Sequence, residues 1–309
     1  MAQLLDLPIE LIQLIVNGLQ SKQDISALSQ TCRLFYACFD IYLYQYDFKY
    51  HSRSALNWAA RHGYDTVAAK SLAVGPYTEE ASELDGSTPL LLAARHGNVD
   101  IVKRLLLQDG RVKLEAWNWW SGRTALAEAA ASGEAEIAKL LLERGASVGT
   151  TDRDYCSPLL LAVQDGHDEV ARVLLEHAAA VNARGKNLQT PLSSASGRGH
   201  LRCVDTLLQY GATVNSQDRY GRTELFYAVK NGHAVVVKRL LEAGADLNKG
   251  TRGMDGPTPL QQAASNPSAA MRSLLLEAGA GLKVMEAQDH LALHFTQSTN
   301  TNSVAIPPS

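Results

Sequence analysis

A short motif recurs along this chain with a nearly constant period, and the recurrence constrains the fold more than any other feature. Thr-Pro-Leu or a close variant begins at Ser54 (as Ser-Ala-Leu), Thr88, Thr124, Ser157, Thr190, Thr223 and Thr258. The successive spacings are 34, 36, 33, 33, 33 and 35 residues. A period of this length marks a solenoid, in which each unit buries its apolar face against its neighbours.

Each part of the unit has a mechanical reason, clearest in "DRYGRTELFYAVKNGHAVVVKRLLEAGADLN", Asp218 to Asn248. Thr before Pro, at Thr88, Thr190 and Thr258, predicts an N-cap followed by a proline whose missing N–H costs nothing at the first helical position. Eight residues after that first helical position, Gly63, Gly97, Gly133, Gly166 or Gly232 ends the helix. A second apolar pattern, such as Val236, Leu240 and Leu241, stops at Gly244, and Asp/Gly turn signals then reverse the chain.

Seven such units resemble ankyrin repeats, from about Ser54 to Gly281, roughly three quarters of the chain. The implied fold is all-α: an ankyrin-repeat solenoid of helix–turn–helix pairs with β-hairpin loops. Three departures stand out, the first being that the His usual after Thr-Pro-Leu is absent. Ala178 replaces one terminal glycine, and Gly199-His200 reads as one residue late. In that family, histidines such as His62, His96, His167, His200 and His233 usually bind neighbouring backbone. Asn182, Asn215 and Asn248 read as turn-forming amides, although the resemblance also admits asparagine hydroxylation there.

The first fifty residues share nothing with the repeats. From Pro8 to Leu19 the apolar residues Ile9, Leu11, Ile12, Leu14, Ile15, Val16 and Leu19 cover a helical arc of about 220°, whereas one core-facing side needs about 100°. Such a helix should bury two faces, one of them against the repeats or another protein. Ser21-x-x-Asp24 reads as a capping box ahead of Ile25, Leu28 and Cys32. Phe35, Tyr36, Phe39, Tyr42, Tyr44, Tyr46, Phe48 and Tyr50 then concentrate half of the chain's Phe and Tyr.

The order Leu7-Pro8-x-Glu10-Leu11, then Ile15, Leu19, Asp24-Ile25, Leu28 and Cys32-Arg33-x-Phe35, resembles the F-box, from about Leu4 to Phe48. In that family three helices dock the adaptor subunit of a cullin–RING ubiquitin ligase. Carried over residue by residue, Leu7, Pro8, Ile9, Leu11, Ile12 and Ile15 become the adaptor-binding candidates. The alternative is an ankyrin-repeat scaffold whose N-terminal helices only cover the end of the stack. The expected layout is an F-box-like three-helix domain (1–50), seven repeats (51–281), a C-terminal cap (282–295) and a disordered tail (296–309).

Ankyrin-like stacks generally bind proteins along their loop tips and first helices. The positions four, three and one residues before each Thr, and seven and eight after it, carry Arg61, Arg95, Trp120, Arg123, Arg153, Gln164, Lys186, Arg198, Arg219, Tyr220, Arg222 and Lys230. Acidic residues at those offsets are fewer, among them Asp85, Asp154 and Asp165. A basic groove is therefore expected on a chain of net charge −3. The connection before Thr124 is three residues longer than the regular repeat and contains Trp117, Trp119 and Trp120. Tryptophan buries a large rigid surface and offers one N–H, so these three are candidate anchors for a target protein with an acidic segment.

Other classes find little support. No phosphate-binding GxxxxGK[ST], GxSxG elbow or HExxH is present, so no enzyme and no cofactor are expected. His290 and His294 have a ligand-like spacing without a third ligand, so no metal site is read. The dispersed charge and the absence of a known nucleic-acid fold speak against nucleic acid. Cys32, Cys38, Cys156 and Cys203 are scattered as free thiols of a reducing compartment. Asp6 and Glu10 interrupt the N-terminal apolar residues, and no run reaches the ~18 apolar residues that a membrane span needs. The expectation is a cytoplasmic or nuclear protein without membrane contact.

Overall fold

A computed structural model describes residues 54–73, 86–108, 112–249, 257–264 and 269–278. The adaptor-binding candidates Leu7, Pro8, Ile9, Leu11, Ile12 and Ile15, and the expected C-terminal cap and tail, lie outside the described residues. The described residues form seven pairs of α-helices, one per repeat. The chain divides into two compact units, residues 1–120 and 121–309.

The first unit contains α1 (Ser54–His62), α2 (Asp65–Ala73), α3 (Pro89–Arg95) and α4 (Val99–Leu106). Within it α1 packs on α3 and α2 on α4. Asn98 Nδ2 donates to the Ala60 carbonyl at 2.7 Å, and Arg104 pairs with Asp65 at 2.6 Å.

The second unit contains α5 (Ala125–Ser132), α6 (Ala135–Glu143), α7 (Pro158–Asp165), α8 (Asp168–Glu176), α9 (Pro191–Arg198), α10 (Leu201–Gln209), α11 (Glu224–Lys230), α12 (Ala234–Glu242), α13 (Pro259–Ala264) and α14 (Ala269–Glu277). First helices stack on first helices from α5 through α13, and second helices likewise from α6 through α14.

The local reasons are those the motif announces. Thr88, Thr124, Ser157, Thr190 and Thr223 all take extended backbone angles, and each hydroxyl accepts the N–H three residues on. Each bond satisfies one donor the helix start would leave open. A first helix touches neighbours on several sides, so Pro158 through Val163 is buried without interruption. A second helix has one wet face. In α8 the buried Val170, Val173, Leu174 and Leu175 alternate with Glu169, Arg172 and Glu176, and Arg172 pairs with both glutamates. Burying each such Leu or Val contributes about 1.5–3 kcal/mol, which the isolated helix could not realise.

Two expectations are corrected here. Gly199 is not late: it is left-handed at φ 80° and caps α9 as Gly133 and Gly166 cap α5 and α7. The five histidines also divide into two positions. His167, His200 and His233, immediately after the capping glycine, each place Nε2 3.1–3.2 Å from a carbonyl of the preceding repeat, those of Ala131, Gln164 and Gly197. His62 and His96 stand before the glycine, and it is Asn98 that fills the stapling position in the first unit.

The loops also differ from the expected hairpins, because no strand forms among the described residues. Three of the repeats reverse instead in five-residue turns, each closed by two backbone bonds. In 152–156, the Asp152 N–H donates to Cys156 O and Tyr155 N–H to Asp152 O; 185–189 and 218–222 repeat the pattern. Successive turns share single bonds, from Arg153 N–H to Ser121 O and from Arg219 N–H to Asn187 O. One rung per loop is too few for a ladder.

Candidate partner-binding surface

In the first unit the tryptophan loop separates into distinct roles. A Cβ at Gly86 would overlap the indole of Trp119, and Gly86 is also left-handed at φ 70°. Trp119 therefore lies across the loop backbone, half-exposed, on a surface that only glycine leaves open. Trp117 is also half-exposed, while Trp120 is 78% exposed and is the tryptophan most available to a partner. Arg95 closes α3 and is partly buried. The sequence reading missed an aromatic group on the first repeat. Trp58 stacks on Tyr64 with centroids 4.8 Å apart, and His62 tilts against Trp58 at 5.1 Å. The i, i+4 spacing of Trp58 and His62 was the available signal.

In the second unit the turns order the basic residues. Asp152 Oδ1 accepts the N–H groups of Asp154 and Cys156, and Asp218 Oδ1 accepts those of Tyr220 and Arg222. The second oxygens are also engaged, Asp152 by Arg123 at 3.3 Å and Asp218 by the Tyr227 hydroxyl at 2.6 Å. Lys186 reaches the preceding turn and bonds Asp154 at 2.8 Å, which holds that carboxyl below its ordinary range and raises the lysine. Arg198 pairs with Asp165 at 3.6 Å. Arg222 lies over Tyr220 at 4.7 Å, with Phe226 and Tyr227 near 6 Å. Such a stack fixes the guanidinium and adds roughly 0.5–1 kcal/mol at an exposed site. Arg153, Arg219 and Lys230 are exposed.

The expected groove of open cations is thus only partly present: Arg123, Lys186 and Arg198 already have carboxylate partners. Folding brings Asp154 and Asp165 beside cations that lie about one repeat away in sequence.

Two turn positions depart from the backbone's own preference. Among the described residues, the one two before the repeat Thr or Ser is left-handed in five repeats, and at Gly86, Gly122 and Gly221 it is glycine. In the adjoining turns it is Tyr155, at φ 61°, and Leu188, at φ 63°. A side chain in that region costs about 1–2 kcal/mol relative to ordinary angles. Both are also exposed, Tyr155 by 69% and Leu188 by 45%.

Cys156 and Cys203 are free and buried, and burial pushes the Cys203 thiol up to about 12. Among the described residues no three His, Cys, Asp or Glu side chains gather to hold a metal ion, and no helix is long and apolar enough to cross a membrane.

Capped helix pairs, glycine-ended first helices and inter-repeat staples define a helical-repeat protein that presents loop tips. A family model described as ankyrin repeats (3 copies) matches residues 56–152, 148–218 and 225–304. The chain belongs to the ankyrin-repeat family. Such repeats are typically non-enzymatic interaction scaffolds, and they indicate a protein-binding role here.

Proposed function

We propose that this chain is the target-recognition subunit of a cullin–RING ubiquitin ligase, acting in the cytoplasm or nucleus. The observation that carries the reading is the order Leu7-Pro8-x-Glu10-Leu11, Ile15, Leu19, Asp24-Ile25, Leu28, Cys32-Arg33-x-Phe35 directly ahead of a protein-binding repeat array. Residues 1–50 dock the ligase adaptor through Leu7, Pro8, Ile9, Leu11, Ile12 and Ile15, while 51–281 select the target. No Gly/Ser/Pro-rich linker separates Tyr50 from Ser54, which suits presentation of a target at a fixed distance.

Target contacts in the first unit are Trp120, Trp117, Trp119 and Arg95. In the second they fall on Arg123, Arg153, Arg198, Arg219, Tyr220, Arg222 and Lys230. The test is co-expression with the ligase adaptor and pull-down of wild type and of Leu11→Asp plus Ile15→Asp, with helical content checked alongside. Stoichiometric capture that the folded double variant loses is the expected result. A folded wild type that captures no adaptor overturns the ligase assignment and leaves an ankyrin-repeat scaffold.

A further inference from the structure

The sequence keeps Tyr155 and Leu188 where the backbone favours glycine, and the fold leaves both side chains substantially exposed. The angle is unfavourable, and burial offsets it only in part, since Tyr155 stays 69% and Leu188 45% exposed. Large residues held at unfavourable angles and presented outward point to something outside the chain. Tyr220, 47% exposed, projects from the third turn beside Gly221.

The three turns are joined into one platform. Lys186 bonds Asp154 across the first two turns. The Arg219 N–H bonds Asn187 O at 2.9 Å, and Arg184 reaches Gln217 O at 3.2 Å, across the second and third. The charge on this platform is one-sided. Arg153, Arg184, Lys186 and Arg219 are exposed, against the single exposed carboxylate of Asp154. Asp152 and Asp218 are buried, and both oxygens of each are already engaged.

We infer that Tyr155, Leu188 and Tyr220, with Arg153, Arg184 and Arg219, form a docking ridge for an extended acidic protein segment carrying aromatic or aliphatic residues. This rests on the protein-binding role of the repeats, and it places the target contact in the second unit independently of the tryptophan loop. Apolar residues of the segment cover the ring of Tyr155 and the Leu188 side chain, and its carboxylates meet the flanking guanidinium groups.

The backbone preference supplies a clean test, because glycine at 155 and 188 removes the contacts while relieving the angle. A random 12-residue peptide library displayed on phage is selected against the full chain. Enriched peptides, made synthetically with a fluorescein label, are titrated by anisotropy against wild type, Tyr155→Gly plus Leu188→Gly, and Trp119→Ala plus Trp120→Ala. The expected peptides set Asp or Glu around an aromatic or aliphatic residue. They bind the double-glycine variant at least tenfold more weakly, and its unfolding midpoint stays equal to or above that of wild type. Affinity also falls as salt rises.

Enriched peptides without acidic residues, or with unchanged affinity for the double-glycine variant, overturn the ridge. Peptides that depend on the tryptophans instead overturn it while leaving the protein-binding role standing. A selection that enriches nothing overturns the ridge as well, and the adaptor pull-down decides the ligase assignment separately.

Discussion

Glu224 occupies the first position of α11, where Pro89, Pro158, Pro191 and Pro259 begin the corresponding helices. Its side chain is fully buried, and its Oε2 has no hydrogen-bond partner among the described residues. Burial pushes the carboxyl from 4.5 up to about 7, against weaker opposing help from backbone N–H groups and the Thr190 hydroxyl at 3.4 Å. The folded chain therefore binds this proton more tightly than the unfolded chain. The associated stability is fully present below pH 4.5 and is lost as pH rises through about 7. From 4.5 to about 7, at ~1.4 kcal/mol per pH unit, the whole effect is about 3 kcal/mol, of which about 2.5 kcal/mol falls between pH 5 and pH 8. Glu224→Gln keeps the shape and removes the titration. Urea unfolding of both proteins at pH 5, 6, 7 and 8, followed by circular dichroism, should show the wild-type midpoint falling relative to the variant across this window. All other groups are common to both proteins and cancel in the difference. Parallel wild-type and Glu224→Gln curves from pH 5 to pH 8 would refute the reasoning.

Ala178→Gly should stabilise the chain by about 1 kcal/mol, because Ala178 is left-handed at φ 63° where Gly145, Gly211 and Gly244 end the neighbouring second helices. Thermal melting checks this, and a lower midpoint would contradict it. His200→Ala should cost about 1–2 kcal/mol in urea, since the Gln164 carbonyl loses its inter-repeat donor. Loss of the same size in His167→Ala and His233→Ala would mark the staple as a property of the position, and His62→Ala should not show it.

The repeat architecture was legible because its signals are local. A Thr or Ser N-cap, a glycine nine residues later and an apolar second helix act within one repeat, so a reader of the chain meets them in order. The same locality gave Ala178 away as a residue in a glycine's place. The aromatic content of the first fifty residues and the three tryptophans before Thr124 were equally plain as composition.

Which residues remain available to a partner was decided only by the tertiary structure, because charge pairing and burial act between repeats. Lys186 and Arg198 read as open cations until the fold set Asp154 and Asp165 beside them. Trp119 read like Trp120 until its ring was found across Gly86. Glu224 drew no notice in the sequence, and the fold buries it fully, with the Thr190 hydroxyl of the preceding repeat 3.4 Å away. Tyr155 and Leu188 were unremarked apolar letters, since a left-handed angle is set by a turn whose two closing bonds exist only once the chain has folded back. The sequence determined the unit that repeats; contact between units, where electrostatics and exposed area are settled, determined which side chains are left to act.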